Sequence, residues 1–181
     1  MAALVVMSAI TAWKVMNDKH RFSPFEAAVL PFAIRFEAPE IQAEELINRL
    51  IQAEPTLILD VREKAEQNVS VIPGAVLLRT DEPIESRKEY TDFLEKKEKN
   101  ALIVVYCAAG FRSAKSLSEL KVKPVIPMRS LHGGIIAYVN AGGWVTDPSG
   151  RSVNRIHAYS NFWKTFVNSE TEAVTDPPAE K

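Results

Sequence analysis

The strongest pattern in the chain is an unbroken apolar run, Ala101–Tyr106 (ALIVVY), that ends on Cys107. A run with no polar position to face water reads as a strand buried on both sides. Thr56–Val61 (TLILDV), after Pro55, is a short apolar, β-branched run that reads as a second buried strand, and Ala75–Leu78 and Val125–Leu131 read as further extended segments. Between them the period changes. Ile41–Ile51 sets Leu46, Ile47, Leu50 and Ile51 at helical spacing, and the densely charged Glu85–Asn100 keeps Tyr90, Phe93 and Leu94 on one stripe. Ser113–Leu120 and Ile135–Asn140, the latter before Gly142-Gly143, also read as helices. Strands alternating with helices predict an α/β fold, a short parallel sheet flanked by helices on both faces. Ligands of such sheets bind beyond the carboxyl ends of the strands. Cys107 stands at that end of the most apolar strand.

The two ends of the chain differ from this middle. Met1–Trp13 carries no charge, and the first is Lys14. Extended to Met16 as a helix it reaches about 24 Å, against about 30 Å of hydrocarbon in a bilayer. No charged region precedes it as in a secretory signal, and its apolar positions lie on all sides, unlike an amphipathic surface helix. It reads as a docked helix, a short membrane anchor or part of a targeting segment; Lys14, Lys19 and Arg21 would suit the flank of an anchor. Ser23-Pro24-Phe25-Glu26 has the form of a capping box with proline at the first helical position. That helix is expected to stop or kink at Pro31, and the apolar stretch Phe22–Phe36 requires a cover. The chain therefore divides into an apolar N-terminal extension (1–39), the α/β domain (40–143), a C-terminal extension packing on the domain (144–170) and a polar tail (171–181), expected to be disordered unless bound.

Composition narrows the function. A length of 181 residues suits one domain with a surplus. Lys plus Arg total 22 against 23 acids, a net charge of -1, which argues against a nucleic-acid partner. The single cysteine excludes an internal disulfide and a cysteine-rich zinc cluster. His20 and His157 have no partner at ligand spacing, so no metal is expected, and nothing implies a cofactor. A reduced thiol and the lack of a signal pattern point to a reducing compartment, the cytoplasm or an organelle interior such as a mitochondrion or plastid.

The segment Cys107-Ala108-Ala109-Gly110-Phe111-Arg112-Ser113 carries the candidate chemistry. A thiol attacks as its thiolate, and a free one ionises near pH about 8.5. A loop closing onto a helix N-terminus points backbone N–H groups and the positive dipole end inward. Gly110 permits a conformation other residues resist, and Arg112 adds a fixed positive charge. Such a cradle stabilises a thiolate, a persulfide anion or an oxyanion. The alternative is a free cysteine used as a small core residue; Gly110, Arg112 and the strand–loop–helix setting favour the reactive reading.

These residues resemble a family. From about Glu40 to Gly143 the chain is similar to a rhodanese-like domain, the sulfurtransferase α/β fold. Asp60-Val61-Arg62 with Glu66, then Ile72-Pro73-Gly74-Ala75, match its amino-terminal signature; Val104-Val105-Tyr106-Cys107 with Gly110, Arg112 and Ser113 match its active segment; Leu131-His132-Gly133-Gly134 match the glycine pair before its last core helix. The C-terminal extension, with His157, Tyr159 and Trp163, resembles the tail of some small bacterial, notably cyanobacterial, relatives. The resemblance implies that Cys107 carries sulfur as a persulfide, cradled by the N–H groups of Ala108, Ala109, Gly110, Phe111 and Arg112, with Ser113 completing the loop. Related phosphatases and arsenate reductases have five residues between Cys and Arg, whereas four lie between Cys107 and Arg112, which suits a ligand smaller than a tetrahedral oxyanion.

Departures from the family pattern refine this. Gln67 stands where an aromatic is common, Ser70-Val71 replace Gly-His before Ile72, and Lys121-Val122-Lys123-Pro124 replace a glycine turn. Ala108, Ala109 and Phe111 bring no charge to the loop, which leaves Arg112 alone. A dianion such as thiosulfate is held better by two cations, so weak thiosulfate use is expected, with a neutral or protein-bound persulfide as donor. Asp60, Arg62 and Glu66 are expected to pair and pin neighbouring loops, with Arg62 or Glu66 in reach of the Arg112 loop. His132, beside Gly133-Gly134, reads as an exposed turn residue in preference to a base reaching the cysteine loop. His157, Tyr159, Phe162 and Trp163 are expected to pack the last helix, and Trp144 to lie in the core. Two functions follow: a sulfurtransferase working through a Cys107 persulfide, with a small sulfur donor or protein persulfide as partner, or a weakly active or non-catalytic structural subunit whose residues 1–36 and polar tail bind a larger assembly, at a membrane or away from one.

Overall fold

A computed structural model describes residues 23–78, 83–84, 87–96, 98–120 and 124–175. The apolar Met1–Trp13 segment, the Lys121–Lys123 departure and the tail from position 176 lie outside the described residues. Strands β1 (Glu40–Ile41), β2 (Thr56–Asp60), β3 (Val76–Leu77), β4 (Leu102–Tyr106) and β5 (Met128–Leu131) form one parallel sheet in the order β1-β5-β4-β2-β3. Its centre is β4, paired with β2 from Thr56↔Leu102 to Asp60↔Tyr106 and with β5 from Ile103↔Met128 to Val105↔Ser130. The chain reverses its travel across the sheet between β3 and β4. The carboxyl ends of β2 and β4 therefore meet at the crevice where such folds bind ligands.

The apolar run of β4 divides strictly by period two. Leu102, Val104 and Tyr106 enter one core with Val29, Leu46, Ile135, Ile136 and Val139, whereas Ile103, Val105 and Cys107 enter the other with Tyr90 and Leu117. One face is thus covered by α1 (Pro24–Phe36), α2 (Ala43–Ile51) and α6 (Gly134–Asn140), the other by α4 (Lys88–Glu95) and α5 (Phe111–Ser118). This is the two-faced α/β sheet predicted from the pattern, and both faces must be dry because β4 has no polar position to spare.

Several element boundaries differ from the sequence reading. The helix read from Ile41 begins at Ala43, because Glu40–Ile41 pair with β5 as a short edge strand. The charged helix is confined to Lys88–Glu95, and the helix after the cysteine starts inside the loop, at Phe111. Pro31 does not end α1, which runs on to Phe36 with the proline inside it. The lost backbone bond is offset by aromatic packing on both sides of the proline. Phe25 meets Phe166 with ring centroids 5.6 Å apart, Phe32 meets Trp163 at 5.9 Å, and Phe36 meets Phe111 at 5.2 Å. No helix of the described residues is long and apolar enough to cross a membrane.

The C-terminal extension contains strands that the sequence reading missed. β6 (Val145–Thr146) and β7 (Ser152–Val153) form an antiparallel pair, and β8 (Arg155–His157) pairs in parallel with β9 (Glu172–Val174). The first part of the polar tail is therefore ordered, held where Ala173 and Val174 run beside Ile156 and His157. Val71, at one of the family departures, exchanges backbone hydrogen bonds with Thr146 of β6. His157 is buried and Trp163 packs against the core, whereas Trp144, Tyr159 and Phe162 are exposed, contrary to the packing expected for them.

His132 also corrects the sequence reading: it is buried rather than an exposed turn residue. Its Nδ1 meets Glu40 Oε2 at 2.9 Å and its Nε2 meets Glu26 Oε1 at 2.8 Å, joining α1 to β1. The capping box is correspondingly half-formed. Ser23 Oγ accepts from the Glu26 N–H at 3.1 Å, but the Glu26 carboxylate turns to His132. The hydrogen bond to Glu40 holds the imidazolium proton against the opposing effect of burial, and Glu26 adds to it, so His132 titrates above its ordinary value of 6.5. Such a group stabilises the fold fully below its unfolded value and ceases to do so as pH rises through the raised folded value. Hydrogen exchange of α1 is expected to be slow at pH 6 and to quicken toward pH 9 beyond the intrinsic base effect; His132→Gln should remove the excess. An excess of the same size in the variant would exclude His132 as the clasp.

Candidate active site

The reactive loop takes its shape from what its carbonyls do. After β4, the Cys107 and Ala108 carbonyls accept from the Ile135 and Ile136 N–H groups of α6 at 2.9 and 3.2 Å. Those two N–H groups lie in the first turn of a helix and lack an intrahelical acceptor. Gly134, at φ +59°, makes the approach possible, since a Cβ there would overlap the Cys107 carbonyl oxygen and the Ala108 backbone. With its carbonyls turned to α6, the loop is free to aim N–H groups at the sulfur. Gly110, in the left-handed region at φ +98°, donates its N–H to Cys107 Sγ at 3.1 Å.

The loop then becomes α5, whose first N–H groups, at Phe111, Arg112 and Ser113, likewise have no intrahelical acceptor. Ser113 Oγ lies 3.7 Å from Sγ, 3.1 Å from the Gly110 carbonyl and 2.8 Å from Ser130 Oγ. When Ser130 donates to it, the one Ser113 hydroxyl proton serves the carbonyl or the sulfur. Cys107, Ala108 and Ala109 are buried, while Phe111 reaches the surface. A small ligand on Sγ therefore meets the Gly110 N–H, with the Arg112 guanidinium near enough to interact with the Cys107 sulfur.

Arg112 is occupied. Its Nη1 and Nη2 donate to Glu66 Oε2 and Oε1 at 2.6 and 2.8 Å, a two-pronged pair with a nearly fully buried carboxylate. Its guanidinium carbon sits 4.8 Å from the ring centroid of Tyr159. Burial works against its charge, but the Glu66 hydrogen bond and the neighbouring Cys107 sulfur outweigh it and hold the proton above the ordinary arginine value. Glu66 itself is fixed by accepting the Glu63 N–H at 2.9 Å in the capping box of α3 (Lys64–Val69).

Asp60 and Arg62 form a second, separate pair beneath the loop. Asp60 accepts from Arg62 Nη2 at 2.7 Å and from the Tyr106 hydroxyl at 2.6 Å. Arg62 Nη2 also donates to the Ser70 carbonyl at 2.6 Å, and Tyr106 accepts the Ile72 N–H at 3.1 Å. Burial pushes the Tyr106 phenol far above its ordinary value, so it remains a donor to Asp60. Gln67, in place of the common aromatic, donates to the Arg62 carbonyl at 2.9 Å. Of the three residues read as loop support, Glu66 reaches Arg112, whereas Arg62 is spent on Asp60 and Ser70. Among the described residues no three His, Cys, Asp or Glu side chains gather as a metal-holding group.

Sequence reasoning missed what the extensions bring here. Phe32 and Phe36 of α1 close on Phe111, with centroids 5.3 and 5.2 Å apart, and Arg35 lies over the same ring at 5.9 Å. Tyr159 comes from the other end of the chain. No spacing in the sequence links these positions.

A family model described as the Rhodanese-like domain matches residues 42–141. The chain belongs to the rhodanese-like family. A relative named sulfurtransferase, from Allochromatium vinosum, is 31% identical over 112 residues, covering 61% of this chain and 97% of its own length. A tRNA uridine(34) hydroxylase from Leptospira interrogans is 32% identical over 100 residues, covering 55% of this chain and 27% of that protein, so the chain spans about a quarter of that relative. Among solved structures, thiosulfate sulfurtransferase from Pseudomonas aeruginosa superposes with a TM-score of 0.56 at 23% identity, over 80% of this chain and 26% of that one, a likeness of fold. Membership in the rhodanese-like family and the sulfurtransferase-named relative support a transferase or related enzyme.

The contact at Gly134 gives a test of the loop geometry. Gly134→Ala is expected to cost roughly 2 kcal/mol or more, from backbone overlap added to left-handed strain. Gly74→Ala, also left-handed but with nothing within 4 Å of an added Cβ, should cost about 1 kcal/mol. Urea unfolding measures both, and equal costs would contradict the close approach of α6 to the loop.

Proposed function

We propose that this rhodanese-like chain is a sulfurtransferase that passes a sulfane sulfur through a persulfide on Cys107. The observation carrying the reading is the Gly110 N–H on Cys107 Sγ at 3.1 Å, in a loop whose Cys107 and Ala108 carbonyls are bonded to α6. The Cys107 thiolate attacks the sulfane sulfur of the donor. The bond from that sulfur to its carrier breaks with the electron pair leaving on the carrier, as a thiolate from a persulfide or as sulfite from thiosulfate. A thiophilic acceptor such as cyanide then attacks the outer sulfur, leaves as thiocyanate, and returns Cys107 as thiolate. Each step is a two-electron displacement at sulfur and needs no further oxidant or reductant.

The environment of Arg112 bears on the donor. With its charge paired to Glu66 and one face against Tyr159, it offers a small dianion little attraction. A persulfide carried on a thiol or a protein fits better than thiosulfate. The hydroxylase-named relatives share about this domain's length with a much longer protein, whereas the Allochromatium sulfurtransferase is matched nearly end to end, so the reading follows the latter.

Thiocyanate formation from glutathione persulfide and from thiosulfate, with the unmodified chain and with Cys107→Ser, tests this. The expected kcat/KM is at least about tenfold higher with the persulfide, the worth of one charge-assisted contact withheld from thiosulfate, and turnover vanishes in Cys107→Ser. Equal or better use of thiosulfate would contradict the role given to Glu66. Absence of turnover with both donors would overturn the enzyme in favour of the structural subunit.

A further inference from the structure

Arg112 is the charge expected to receive an anionic donor, yet Glu66 takes two of its nitrogens and Tyr159 one of its faces. Another cation stands at the loop. Arg35, on the last turn of α1, is exposed, with its guanidinium carbon 5.4 Å from the Phe36 ring centroid and 5.9 Å from that of Phe111. Among the described residues no carboxylate forms an ion pair with it. Phe32 and Phe36 pack on Phe111 at near-right angles, 85° and 79°, and hold the ring that Arg35 lies over. Stacking on aromatic faces holds a guanidinium without using its N–H donors. Arg35 therefore arrives at the loop positioned and with its donors available. Phe111 is the residue between Gly110, which donates to the sulfur, and Arg112. The helix that supplies Arg35 lies outside the matched 42–141 segment.

We propose that Arg35 is a donor-binding residue of the site: it attracts the anionic carrier of the incoming sulfur, beside an Arg112 whose charge is shared with Glu66. α1 is then a part of the active site as well as a cover for the core. This rests on Cys107 acting as the sulfur carrier. It commits the site to persulfides whose carrier bears a carboxylate, reached from the α1 side of the loop.

The test compares glutathione persulfide, whose carrier is anionic, with cysteamine persulfide, whose carrier is cationic, in the full chain. Arg35→Gln is expected to raise the KM for glutathione persulfide about fivefold at low salt, the upper worth of one exposed charge pair, with kcat changed less than about twofold. The KM for cysteamine persulfide should not rise. Arg35→Lys should restore most of the loss, because a point charge still attracts the carrier. Added salt should raise the glutathione persulfide KM of the unmodified chain as the screening length falls below about 10 Å, and the Arg35→Gln chain should respond less. Ile34→Gln, on the same turn and 63% exposed, should leave both KM values in place and so separates loss of charge from disturbance of α1. Equal effects on both donors, an effect on kcat alone, or no effect would overturn the role of Arg35 while leaving Cys107 transfer standing. Failure of the unmodified chain to take sulfur from either donor would overturn both.

Discussion

Two backbone hydrogen bonds, from Ile135 and Ile136 to the carbonyls of Cys107 and Ala108, organise the site. They use N–H groups that the start of α6 must place somewhere, and carbonyls that the loop must turn away from its sulfur. The same contact satisfies both needs, and it exists because Gly134 has no side chain. The loop can then fold over Cys107 with Gly110 donating to the sulfur. The sheet supplies the rest: β4 and β5 are neighbours, so the loop after one strand and the helix after the other must meet.

Charge is arranged by the same economy. Asp60, Arg62 and Tyr106 lock the ends of β2 and β4 together in full burial, where a partnered ion pair holds geometry more than it adds stability. Arg112 and Glu66 form a second closed pair nearer the sulfur. Both arginines of the family signature are thus committed within the protein. Arg35 of the N-terminal helix, lying over the Phe111 ring, is the cation we propose for an incoming donor.

The sequence was informative where one residue type has one physical use. An apolar run without a polar position has to be a central strand, and β4 is. The motif spacing around Cys107 led to the rhodanese-like family because a strand, a four-residue gap to arginine and a helix form one local unit. What was illegible is non-local. Nothing in Ser23–Glu26 reveals that Glu26 leaves its capping box for His132, 106 residues away. Nothing near Thr171 reveals that Ala173 and Val174 have a partner in β8. Pro31 signals a helix end by its own chemistry, and only the aromatic contacts of Phe25, Phe32 and Phe36 carry the helix through it.

The Cys107 loop is proposed to hold one extra sulfur as a persulfide. Intact mass of the full chain after glutathione persulfide, and again after cyanide, tests it without depending on turnover. The expected result is a gain of a single sulfur atom, mapped to Cys107, removed by cyanide and absent in Cys107→Ser. A folded chain with a free thiol that gains no sulfur, or gains it irreversibly to cyanide, would contradict it.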